Sequence, residues 1–131
     1  MITTSGLGGI TKVVGYVDTP ASFTYMAFGS GTTAAAMTQT ALVSQTGDRV
    51  AATATVASVV RPNDTVIFSG EATPTADGTM TEIGVFTAAT GGTMLLRRLL
   101  VPAKTYKANE KLSLIAQVTI KNYACGTGAT W

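Results

Sequence analysis

The chain contains no histidine, one cysteine and seven carboxylates, and that inventory limits its chemistry before any fold is considered. Without histidine there is no Ser-His-Asp triad, no Cys-His pair and no imidazole ligand for a metal. Cys125 stands in a Gly-rich tail with no base of the usual kind nearby, so it reads as a free thiol, with an intermolecular bridge the less favoured alternative. Asp18, Asp48, Asp64 and Asp77 each sit in a turn-like stretch and lie far apart in sequence, which fits local turn formation and not a calcium cluster. Gly29-Ser30-Gly31-Thr32-Thr33 and Gly6-Leu7-Gly8-Gly9 lack the Gly-Lys-Ser/Thr of a phosphate loop and the full dinucleotide fingerprint. The one arrangement like an acid–base pair is Glu71 with Glu82. If the segment between them is a hairpin, the two carboxylates become diagonal neighbours on one face, where a glycosidase-like pair could sit. A sugar cleft is usually lined by aromatic rings and this face offers chiefly Phe86, so a solvated or arginine-paired face is favoured, with Glu82 pairing to Arg97 or Arg98. The sequence therefore nominates no catalytic, cofactor-binding or metal-ligating residue.

Strands must position these side chains. Residues 65–73 alternate, with Val66, Phe68, Gly70 and Ala72 on one face. Asp77-Gly78 between that stretch and residues 80–87 signals a hairpin, because a primed turn needs φ > 0 at both central positions. Pairing across it sets Ala72 against Ile83 and Gly70 against Val85. Gly91-Gly92 predicts a second hairpin, into residues 94–101, where the adjacent Arg97 and Arg98 must point to opposite faces and one is expected to be buried, paired or at an interface. Residues 22–28 read as a strand with two partly buried faces, residues 49–60 alternate with the even positions more apolar, and residues 110–120 read as a last, half-exposed strand. Residues 102–105 are expected to turn the chain. Residues 34–42 are the only helix candidate, on their alanine content.

Residues 1–15 carry Gly6, Gly8, Gly9 and Gly15, too many for a helix, and are expected to form an extended arm that lies on another surface. Residues 122–131 form a Gly-rich tail ending in Trp131. About six to eight short strands, no long helices and no internal repeat predict an all-β fold: an antiparallel, jelly-roll-like β-sandwich, one domain over residues 1–131, with at most one short helix. Charged residues are only 12% of the 131, against roughly 25% in ordinary soluble domains. Thr, Ser, Ala and Gly replace them, so much of the surface is neutral and suited to contact with other subunits. A net charge of +2 on scattered lysines and arginines leaves no nucleic-acid footprint. The first residues lack a signal-peptide pattern and no apolar run of about 18 residues occurs, so a soluble, unprocessed chain without a membrane partner is expected.

The stretch Tyr25-Met26-Ala27-Phe28-Gly29-Ser30-Gly31-Thr32-Thr33-Ala34-Ala35-Ala36, with Thr40-Ala41-Leu42 and Arg49 after it, resembles a pattern of small virion structural proteins of tailed bacteriophages. Residues 68–71, 81–95 and 111–120 extend the resemblance to about residues 23–120. It implies assembly on a virion and marks no active-site residue. Among such proteins, a capsid decoration or cement protein stabilising the head shell is the expected role, because the short chain has no heptads, triple-helical stalk or elongated repeat of a fibre shaft. A tail, neck or fibre-tip component is the alternative, and a carbohydrate-binding module the third. The expected partners are further copies of the chain, a homotrimer before a dimer, and the major capsid protein or another virion protein, on the capsid surface after assembly in the host cytoplasm. Ile2, Leu7, Ile10, Val13, Arg97, Arg98 and Trp131 are the expected assembly contacts.

Overall fold

Residues 1–120 are described by a computed structural model; the tail with Cys125 and Trp131 lies outside the described residues. One helix, α1 (Thr4–Gly15), precedes seven strands: β1 (Tyr25–Gly29), β2 (Gln45–Ala51), β3 (Thr53–Ala57), β4 (Thr65–Ala72), β5 (Gly78–Phe86), β6 (Met94–Tyr106) and β7 (Leu112–Thr119). They form two antiparallel sheets, in the orders β2-β1-β5-β6 and β3-β4-β7. The result is the expected sandwich. Its core joins Met26, Phe28, Ile83, Val85 and Leu96 from the first sheet to Phe68, Ala72, Leu112 and Leu114 from the second, each large side chain contributing about 1.5–3 kcal/mol on burial. The Phe28 ring meets Tyr106 edge-on at 5.6 Å. Only Ala52 separates β2 from β3, so the alternating stretch at 49–60 passes from one sheet to the other. The β5–β6 hairpin closes as expected, through Gly91 and Gly92 at φ 61° and 68°.

Four expectations are corrected. The extended arm is a helix over residues 4–15: Thr3 caps it, its Oγ1 accepting from the Gly6 N–H at 2.9 Å. The glycines serve contact, since a Cβ on Gly6 would overlap the Leu95 carbonyl of β6. Ahead of the helix the chain pairs with its own β6 edge, Arg97 N–H donating to the Met1 carbonyl (3.0 Å) and Thr3 N–H to the Leu95 carbonyl (2.9 Å).

The Asp77-Gly78 hairpin does not exist: β4 pairs with β3 and β7, and β5 with β1 and β6. Asp77 instead accepts from the Ala108 N–H at 2.8 Å. Gly78 lies against Tyr106, whose Oη would be 2.5 Å from an added Cβ. Residues 34–42 form no helix; too short to stand alone, they are held as a loop by Gln39, which accepts from the Ala36 N–H and donates to the Ala34 carbonyl. Residues 102–105 stay within β6, where its pairing with β5 is interrupted between Leu99 and Lys104.

Candidate functional site

Glu82 on β5 and Arg97 on β6 are fully buried, on the sheet face opposite Ile83 and Val85. Residues 30–44 cover them. Arg97 Nε donates to Glu82 Oε2 at 2.5 Å, and the carboxylate also accepts from the backbone N–H groups of Ser44 (2.7 Å), Gly31 (3.1 Å) and Val43 (3.1 Å). Arg97 Nη1 donates to the Thr33 carbonyl (2.8 Å) and to Gln39 Oε1 (3.3 Å), while Leu42 packs with Ala27, Phe86 and Met94 beneath the same loop. Two strand side chains thus fasten a segment that has no ladder of its own.

The arrangement holds structure and leaves little room for chemistry. Four N–H donors occupy both oxygens of a carboxylate closed to solvent, so it has no free lone pair aimed at a substrate. Glu71 stands on β4, in the other sheet, exposed and 3.2 Å from Lys111 Nζ, so the diagonal Glu71–Glu82 pair is corrected. The alternative reading, an arginine partner for Glu82, is what the fold contains; Arg98 faces the other way and is exposed.

Burial pushes the Glu82 carboxyl up, but the Ser44 N–H, the Arg97 guanidinium and the Val43 N–H outweigh it and hold the group below the usual carboxylate range. A folded value below the unfolded one contributes stability that is fully present above the unfolded value and lost as pH falls through the folded one. In acid titrations of unfolding free energy, the gap between wild type and Glu82→Gln should therefore narrow below roughly pH 4. A gap that stays constant down to the acid limit would show that Glu82 does not titrate with folding.

A second feature is an open groove of about 560 Å³ between the edges of β6 and β7. Leu96, Leu100, Ala116 and Val118 line it, with Met1 and Ile2 among its walls. Its charged groups are Arg98 and the Met1 ammonium, and no carboxylate lines it. Burial, then Arg98 and Arg97, push that ammonium down from its ordinary value. Val101 at its rim is 92% exposed.

Of the expected assembly contacts, Arg98 lines the groove and Arg97 is internal. Leu7 and Val13 are exposed on α1, and Ile2 and Ile10 are half-buried against the core. Trp131 is outside the described residues. What the sequence did not signal is the cradle for Glu82, because its donors are backbone N–H groups. Only the pair Gly29 and Gly31 hinted at it: a Cβ on either would come within 2.6 Å of Glu82 Oε1.

Among the described residues, no cluster of three or more Cys, Asp or Glu could hold a metal ion, and no helix is long and apolar enough to cross a membrane. The buried ion pair clamps a loop, and the groove between β6 and β7 is lined by apolar and polar side chains alike. The chain belongs to the family described as podophage GP4 fiber I protein gp80, whose family model matches residues 12–121. It is a virion structural protein of tailed phages, related to fibre proteins. No curated protein and no solved structure matches it.

Proposed function

We propose that this chain is a component of the fibre apparatus of a tailed-phage virion, and that it acts by fitting neutral surface against neighbouring subunits without catalysing a reaction. The family match over residues 12–121 carries this reading. It favours the fibre alternative over capsid cement. The lack of a shaft repeat argues only against a shaft, and leaves a base, joint or tip open to a short sandwich. The mode of action is supported by the low charge, since few ions must be stripped of water when such a surface is covered, and by the clamp at Glu82, which fixes a surface loop in one shape. Gold-labelled antibodies against the protein, applied to intact particles, should decorate fibres. Label spread over the head shell would return the protein to the cement role.

A further inference from the structure

The same chain carries a run of exposed apolar side chains at the C-terminal end of α1. In and just after the last turn of α1, Val14 is 82%, Tyr16 78% and Val17 51% exposed, beside the exposed Val13. Four large apolar side chains exposed within five residues make this segment a candidate contact surface. The knob is also fixed in shape: the N–H groups of Tyr16 and Val17 donate to the carbonyls of Val13 and Lys12. Tyr16, Asp18 and Thr19 hold φ of 50°, 58° and 49°, a left-handed conformation that non-glycine residues adopt at a cost and that tends to persist at functional positions. Asp18 ends the knob. Its only ion-pair partner among the described residues is Lys12 at 3.4 Å, in an exposed pair of the weak kind. The groove offers the complement: apolar side chains at Leu100, Val101 and Ile115, and an Arg98 that lacks a carboxylate partner among the described residues.

We propose that the α1 knob of one copy seats in the β6/β7 groove of the next, with Val14, Tyr16 and Val17 against Leu100, Val101 and Ile115, and Asp18 against Arg98. Knob and groove are different surfaces of one chain, so the contact is head-to-tail; it closes into a ring where the rotation permits and otherwise continues as a filament. The proposal concerns the chain itself and stands whether the protein sits on a fibre or on the head.

Sedimentation of the purified full chain over a concentration series tests it. Wild type should self-associate, and Tyr16→Asp in the knob or Val101→Asp in the groove should each weaken association at least tenfold with an unchanged circular dichroism spectrum. A mixture of these two variants retains one sound knob and one sound groove, and should give a one-to-one heterodimer and nothing larger. Asp18→Arg and Arg98→Asp should each weaken association alone and restore it together in one chain. If an aspartate variant fails to fold, Tyr16→Ser and Val101→Ser serve in its place. A wild type that stays monomeric, an oligomer indifferent to both variants, or a mixture without heterodimer would overturn the proposal.

Discussion

Glu82→Gln is expected to lower stability by about 3–5 kcal/mol, the cost of leaving one member of a buried pair without the other. The Arg97 guanidinium would be left buried without its carboxylate, and Nη2 already lacks a hydrogen-bond partner. The new amide would also turn an N–H toward Arg97 Nε and the Val43 N–H, or toward the N–H groups of Gly31 and Ser44, donors facing donors. The melting temperature should fall by roughly 10–20 °C. Arg97→Met should cost less, because Glu82 would keep three backbone donors and can take a proton. Combining the two substitutions should recover part of the loss seen in Glu82→Gln. Urea unfolding of the three variants, with hydrogen exchange of residues 30–44, checks the order; a Glu82→Gln protein within about 1 kcal/mol of wild type, the size of an exposed pair, would remove the clamp from the account.

Within α1, Gly6→Ala and Gly8→Ala should move stability in opposite directions. A Cβ on Gly6 would overlap the backbone carbonyl of Leu95, and no flexible side chain can give way. The helix would have to lift from β6 and strain the hydrogen bonds of Met1 and Thr3, at about 1–3 kcal/mol as for other overpacked sites. A Cβ on Gly8 meets nothing within 4 Å, so alanine there removes only the conformational penalty of glycine in a helix and should stabilise by about 0.5–1 kcal/mol. Thermal melts of the two single variants decide the matter: a Gly6→Ala protein as stable as Gly8→Ala would mean that α1 does not rest on Leu95.

The same glycines explain where sequence reading succeeds and fails. Alternation located β4 and β7, the Gly91-Gly92 turn led into β6, and the adjacency of Arg97 and Arg98 set the two arginines on opposite faces, because these are properties of a short stretch of chain taken alone. Glycine is ambiguous in a way alternation is not: it marks a left-handed turn at Gly91 and Gly92, but close approach at Gly6 and Gly78, and the difference lies in a tertiary partner distant in sequence. The apparent register between Ala72 and Ile83 had a similar origin. Both residues line one core, but from opposite sheets, so their faces agree without their strands pairing. The cradle around Glu82 depends on backbone N–H groups of residues 31, 43 and 44, which carry no side-chain signature at all.

The attachment of Met1 to Arg97, 96 positions along the chain, also orders events in time. During synthesis residues 1–3 have no β6 to lie on until the chain has grown to residue 97. A glycine-rich helix of this length does not persist in isolation, and contacts so distant in sequence form slowly. The helix is therefore expected to set last, against a sandwich already formed. If its C-terminal knob is what meets another copy, a chain whose helix has not yet set has a groove but no knob to offer a neighbour, and maturation of the monomer becomes the gate that assembly must pass.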